Sequence, residues 1–353
     1  MQNTTPFFSI CIPQYNRTSF LIEALRVLTR QTFKDFEVCI SDDCSTDGRQ
    51  SELQQTLREF DLHHVYRRQP RNVRYDANLR AAIGLASGSY CLLMGNDDCV
   101  ADPDTLERLH KLITQQDNIG VVITNYVNQA SRAIFRRVPA TRTVGAGPSI
   151  AERCFRNFSF VSGIILRRDR AVAHATSEWD GAEMYQMYIG SRIISEGYSL
   201  MEIADVSVVQ GIQIPGQCVD SYAVKPRLDP CAIQERKIPL IDMGRLVIDA
   251  IRPYADKSVS ALSASIFCQI LVFTYPYWIV EYRRVQSWNY SLGICLGMRP
   301  RNVFGTTALR WIHSLSLKAL YLGVTIAGLT MPIGLFDSLR PRFYAFAKST
   351  FLR

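Results

Sequence analysis

At 353 residues, with 47% hydrophobic and 20% charged residues, the chain has room for one large or two ordinary globular domains and carries no repeat or low-complexity tract. Its formal net charge of +8 is confined to one end: residues 253–353 hold 11 Lys and Arg against 3 Asp and Glu, and the first 252 residues hold 29 of each sign. Ten scattered cysteines without a CxxC pair argue against a zinc site or a disulfide framework and read as reduced thiols of a cytoplasmic protein.

The opening MQNTTP is polar, so no signal peptide is expected. From there the hydrophobic period alternates. Strands are predicted over 7–12, 36–41, 63–67, 90–94 and 120–126, with helices over 19–30, 50–60, 76–86 and 104–115 between them. Short apolar strands separated by amphipathic helices predict an α/β sheet with parallel strands. Ligands of such sheets bind at the carboxyl ends of the strands.

Polar clusters stand at three of those ends. The first strand runs into Pro13-Gln14-Tyr15-Asn16-Arg17, the second into Ser41-Asp42-Asp43-Cys44-Ser45-Thr46-Asp47-Gly48, and the fourth into Gly95-Asn96-Asp97-Asp98. Adjacent carboxylates repel and resist desolvation unless a cation lies between them. One reading is a loop whose Asp102 or Asp104 starts the next helix beside Pro103. The other is a divalent metal holding a substrate's phosphates.

In order and spacing, SICIPQYNR, LIEALRVLTRQTFKDFEVCISDDCSTDG and NVRYDANLRAAIGLASGSYCLLMGNDD resemble the nucleotide-sugar-binding half of the family-2 glycosyltransferases. The likeness covers about the first 110 residues well and thins to almost nothing after about residue 215. It implies a GT-A (Rossmann-like nucleotide-diphospho-sugar transferase) domain over 1–215, followed by a connecting, helical segment over 216–252. It further implies that Pro13, Tyr15 and Asn16 line the nucleotide pocket, that Asp42 bonds the base, and that Asp43 lies near the ribose. Asn78 or Arg80 would reach the sugar or phosphates, Asn96 would belong to the same pocket, and Asp97 and Asp98 would face a Mn²⁺ or Mg²⁺ ion. The sequence departs from the family at Gly95, where an acid usually stands.

The family's catalytic base matches SEWDGAEMYQMYIGSRIISEGYSL, in which the usual acidic pair reads Glu183-Met184. Glu183 and Asp180 are the candidates, either sharing a face of a helix over 182–195 or flanking its start. As an N-cap and a first-turn charge they would have only a structural role. The resemblance implies transfer of a sugar from a nucleotide-diphosphate donor to an acceptor hydroxyl, with inversion. The motif GNDD and the DGAEMYQMYIGSRII helix are also similar to bacterial surface-polysaccharide transferases of the abequosyltransferase-like kind. The altered motifs leave a non-catalytic nucleotide-sugar-binding membrane protein as the alternative.

The last region, 253–353, is read as basic and mostly helical. Residues 258–280 and 319–336 are uncharged runs near the length that spans a bilayer, weakened by serines, Gln269 and prolines. Aromatic residues at their edges and flanking cations suit helices lying in an anionic membrane interface; internal packing and spanning are the other readings. Such uncharged runs speak against a nucleic-acid partner. Arg283, Arg284, Arg299 and Arg301 would hold lipid headgroups or an acceptor diphosphate, or be solvated charge. Together these features suggest a peripheral protein on the cytoplasmic face of the bacterial inner membrane, acting on a lipid-linked oligosaccharide of O-antigen or capsule type.

Overall fold

The computed structural model describes residues 5–217, 239–285, 287–304 and 307–351. The chain divides into two compact units, Met1–Ser221 and Tyr222–Arg353. Most of the expected connecting segment over 216–252 lies outside the described residues, which resume at the helix Pro239–Ile251.

The first unit is built on a ten-stranded mixed sheet. Its elements are β1 (Phe8–Gln14), α1 (Thr18–Thr29), β2 (Phe36–Asp42), α2 (Gln50–Glu59), β3 (His64–Arg68), α3 (Arg74–Leu85), β4 (Tyr90–Leu93), β5 (Cys99–Val100) and α4 (Thr105–Thr114). There follow β6 (Ile119–Asn128), β7 (Ile134–Phe135), β8 (Arg142–Gly145), α5 (Pro148–Cys154), β9 (Ile164–Arg167), α6 (Arg168–Ala173), α7 (Tyr185–Glu196) and β10 (Ser199–Gln210). The elements expected from the periodicity as far as residue 126 are all present, with ends shifted by at most two residues.

The spatial order is β3-β2-β1-β4-β9-β6-β10-β5. The expectation of parallel strands holds from β3 to β4, and then β9 enters antiparallel to both β4 and β6. β9 has only four residues and lies beyond the stretch whose periodicity is read as far as residue 126; as an antiparallel partner of β4 and β6 it needs no βαβ crossover. β1 and β2 are buried along almost their whole length, as central parallel strands must be. Phe8, Ile10 and Ile12 pack with Val38 and Ile40 under Leu21 and Leu25 of α1, Leu53 and Leu57 of α2, and Leu106 and Leu109 of α4.

The strand order turns back between β1 and β4, the kind of crevice in which open α/β sheets bind ligands. Pairing of the two strands ends where Met94 N–H donates to the Cys11 carbonyl. Pro13, which has no N–H, comes two residues later, where the ladder no longer asks for one on that side.

The second unit is helical. Val259–Gln269 continues through a π turn, Ile270–Thr274, into Tyr275–Val285. The widened turn ends two residues before Pro276, whose ring and missing N–H disfavour a regular α-turn. Trp288–Gly297, Pro300–Phe304, Trp311–Thr330 and Ile333–Phe351 complete it. The apolar run expected over 319–336 is therefore split between two helices, broken at Met331-Pro332. Arg283 Nη1 donates to the carbonyls of Gly328 and Met331, capping the end of Trp311–Thr330, and Arg284 pairs with Asp337. Val259–Arg284 and Trp311–Thr330 are long and apolar enough to cross a membrane by length and composition, with 61% and 11% of their apolar windows buried.

Candidate active site

Gln14, the last residue of β1, is fully buried and ties the strand ends together. Its Oε1 accepts from Asn96 Nδ2 at 2.8 Å, and its carbonyl accepts from Asp43 N and from Asn78 Nδ2. The GNDD loop, the DDCSTDG loop and α3 thus meet on one residue. Asn78 is itself buried, and its Oδ1 has no hydrogen-bond partner among the described residues. An unpaired buried acceptor at a strand edge is the kind of group a ligand or water satisfies.

The loop after β2 uses its acids to hold itself. Asp42 accepts from Ser45 N at 2.8 Å and from Tyr66 OH at 2.6 Å. Asp43, also buried, accepts from the backbone N–H groups of Val73 and Arg74 and so fixes the start of α3. Burial pushes its carboxyl pKa up, although both N–H groups pull it down. Asp47 accepts from Thr18 N and caps α1 from outside the helix. Asn16 bridges the loops, its N–H donating to Ser45 Oγ and its Oδ1 accepting from Thr46 N. Pro13 is half-buried, and Tyr15 stands 44% exposed beside them.

In the GNDD loop the two acids differ. Asp98 is buried, accepting from Ser162 Oγ and from Gly211 N at 2.9 Å. Burial, with the charge of Asp97 added, pushes its pKa up to about 7. Asp97 is partly open and forms an ion pair with Arg17. A Cβ placed on Gly95 would stand 2.9 Å from Asp98 Oδ2, 3.3 Å from Asp97 Oδ1 and 3.4 Å from Ser162 Oγ. The missing family acid therefore has a steric reason: both carboxylates already converge on the space its side chain would enter.

That convergence is the test of fit for a divalent ion. Among the described residues no three His, Cys, Asp or Glu side chains gather in a metal-binding group. Mg²⁺ and Mn²⁺ sites commonly use one or two carboxylates and complete the shell with phosphate and water, and Asp97 with Asp98 fits that pattern. Asp98 adds a reason of its own, since it is buried beside Asp97 and a nearby cation favours the ionised form of such a pair.

The candidate bases lie in the turns before α7, which begins at Tyr185, later than the expected 182, so neither is in the helix. The cause is Asp76. Its buried carboxylate accepts from the N–H groups of Gly181, Glu183 and Tyr185, three donors that a continuous helix would direct elsewhere. Glu183 adopts a left-handed backbone, φ 59°, with its side chain exposed. Asp180 forms a two-pronged ion pair with Arg80, whose guanidinium also donates to the Thr176 carbonyl. Arg80 is thus engaged by this turn, and Asn78 by the Gln14 carbonyl.

Several residues of the site carry no signal in the sequence. Gln14 is an ordinary polar residue between Pro13 and Tyr15, and Asp76 looks like an ordinary first-turn acid of α3. Ser162 and Arg137 are distant in sequence from every motif. Arg137 is half-buried, donates to the carbonyls of Thr124, Phe160 and Ser162, and lies over the rings of Tyr126 and Phe160 at 5.4 and 5.5 Å. Burial pushes its pKa down to about 10. It anchors the segment from which Ser162 reaches Asp98.

Residues 9–179, the stretch that holds all these strand ends, match Glycosyl transferase family 2. This segment is a family 2 glycosyl transferase domain. The chain is 38% identical over 113 residues to abequosyltransferase RfbV of Salmonella typhimurium, covering 31% of this chain and 34% of that protein. It is 30% identical over 171 residues to the amylovoran biosynthesis glycosyltransferase AmsB of Erwinia amylovora, covering 46% and 56%. The matched stretches span from about a third to just over half of these relatives. Among solved structures, Staphylococcus aureus TarS 1-349 in complex with UDP-GlcNAc has a TM-score of 0.64 at 16% identity, covering 91% of each chain. Mannosyltransferase PcManGT from Pyrobaculum calidifontis, in complex with GDP-Man and Mn²⁺, has a TM-score of 0.50 at 14% identity, covering 93% and 88%. At these identities the likeness is one of fold, the GT-A fold of the glycosyl transferase domain.

Proposed function

We propose that the chain moves a sugar from a nucleotide-diphosphate donor to a hydroxyl of a saccharide acceptor, and that the acceptor is carried on a lipid. The observation that carries this reading is the meeting of the GNDD loop, the DDCSTDG loop and α3 on Gln14 of the PQYN segment, at the β1–β4 crevice of a family 2 domain. Similarity to RfbV and AmsB supports a surface-polysaccharide acceptor.

In this reading Tyr15, Asp42 and Asp43 border the base and ribose, Asn96 and Asn78 form the floor, and the diphosphate lies toward Asp97. Asp97 and Asp98 would hold the divalent ion, which when bound supplies charge stabilisation to the departing diphosphate. Glu183 is the favoured base, because its side chain is exposed, whereas Asp180 is neutralised by Arg80. Its carboxylate takes the proton of the acceptor hydroxyl as that oxygen bonds to the anomeric carbon. The bond from that carbon to the diphosphate oxygen breaks, and the nucleotide leaves with the electron pair. Attack opposite the leaving group inverts the centre.

The reading is tested by titrating a panel of nucleotide-diphosphate sugars with and without Mn²⁺ against wild type and Asp97→Ala, following binding and nucleotide release. Binding of one donor that needs both the metal and Asp97, with release accelerated by acceptor, is the expected result. Binding of that kind without release on any acceptor would favour a non-catalytic nucleotide-sugar-binding protein. Indifference to both metal and Asp97 would reduce GNDD to a structural loop.

A further inference from the structure

Arg17 and Asp97 come from loops that leave different strands, yet their side chains meet in an ion pair in which each is only 18% exposed. The approach is built into the backbone. Asn16 and Arg17 are consecutive residues in the left-handed region, φ 51° and 57°, which non-glycine residues enter at a cost. The turn is secured on both sides, by Ser45 and Thr46 bonding Asn16 and by Asp47 accepting from Thr18 N. The Arg17 guanidinium also lies 5.9 Å from the ring centre of Phe20. A long, flexible cation is thereby directed at the one carboxylate of the GNDD loop that is open to ligand.

We propose that Arg17 is the resident counter-cation of Asp97, making divalent-ion uptake depend on the nucleotide's diphosphate. The inference rests on the donor-binding reading above. With the guanidinium on Asp97, that carboxylate is half of a neutral pair, and a divalent ion arriving alone must displace a cation from it. A diphosphate changes the balance, because its oxygens offer the guanidinium a new anionic partner and the ion new ligands. Arg17 then moves from carboxylate to diphosphate, and metal and nucleotide bind cooperatively, each raising the affinity of the other by the same factor.

The test measures free Mn²⁺ by electron paramagnetic resonance, with the full chain titrated with Mn²⁺ alone and then in the presence of UDP or GDP. Wild type should bind Mn²⁺ weakly alone and much more tightly with the nucleotide. Arg17→Met should bind Mn²⁺ alone roughly tenfold more tightly and show correspondingly weaker coupling, keeping the part that the diphosphate oxygens give directly to the ion. Arg17→Lys, which keeps the charge, should stay close to wild type. Should methionine disturb the left-handed turn in a thermal melt, Arg17→Asn supplies a neutral side chain suited to that backbone. Unchanged Mn²⁺ affinity in the neutral variants, with nucleotide coupling intact, would overturn the inference and leave the donor reading standing. Wild type that binds no Mn²⁺ with any nucleotide would remove the metal reading itself, and this inference with it.

Discussion

Asp76 joins two parts of the first unit that are far apart in the sequence. It sits in the first turn of α3 and organises a turn over a hundred residues away, where it accepts three N–H groups around Glu183. Asp76→Asn keeps one acceptor oxygen and loses the other, leaving a buried N–H unpaired at a cost of about 1–3 kcal/mol. Its thermal midpoint should fall, and turnover should fall with it because Glu183 loses its backbone support. Glu183→Gln should lower turnover by roughly 10²–10⁴-fold with donor affinity intact, as single-turnover nucleotide release would measure; equal turnover would point to Asp180. Glu37 gives the pH dependence. Burial raises its pKa, but bonds from Ser9, Ser87 and Gly88 outweigh burial and leave it below the ordinary value. A lowered folded-state pKa means stability present above the unfolded-state pKa and lost as pH falls through the folded-state one. Glu37→Gln should therefore be less stable than wild type at neutral pH, with the gap closing in acid, as melts across that range would show.

The elements explain why the site is shaped as it is. β9 and the segment before it bring Ser162 to Asp98, and that segment is held by Arg137 against three carbonyls. Gly163 lies between them at φ 80°, where a Cβ would also press on Thr124 Oγ1 and Arg137. Gly163→Ala should destabilise by about 1–3 kcal/mol, a loss that denaturant unfolding would register. Gly95→Asp restores the family's usual acid, yet it should not tighten Mn²⁺ binding. Asp98 is pinned by Ser162 and Gly211 and has no room to move aside for the new Cβ. Tighter Mn²⁺ in that variant would show that the loop yields.

At the scale of the whole molecule the two apolar C-terminal runs, alike in the sequence, part company. Val259–Arg284 is mostly buried, whereas Trp311–Thr330 exposes Trp311, Ile312, Leu315, Leu322 and Ile326 along one face. Leu335, Leu339 and Phe343 are exposed on the next helix. With the positive excess of residues 253–353 beside them, these faces suit the surface of an anionic bilayer. The protein should co-float with vesicles containing phosphatidylglycerol more than with neutral ones, and Leu315→Glu with Leu322→Glu should abolish it. Equal flotation on both lipids, or self-association in its place, would count against the interface reading.

The sequence by itself determined the alternation of strands and helices over the first 126 residues and the placing of polar clusters at strand ends. It also revealed the family likeness and the one-sided charge. All of these are local, because a period of two or 3.6 and a turn's composition are written in neighbouring residues. Only the tertiary structure decided the mixed order of the sheet, the engagement of Arg80 with Asp180, and the hold of Asp76 on the turn of Glu183. It alone placed Arg17 on Asp97 and Ser162 on Asp98. Each of those is a contact between segments far apart in the chain, made where buried polar groups must find partners, and that requirement leaves no local pattern.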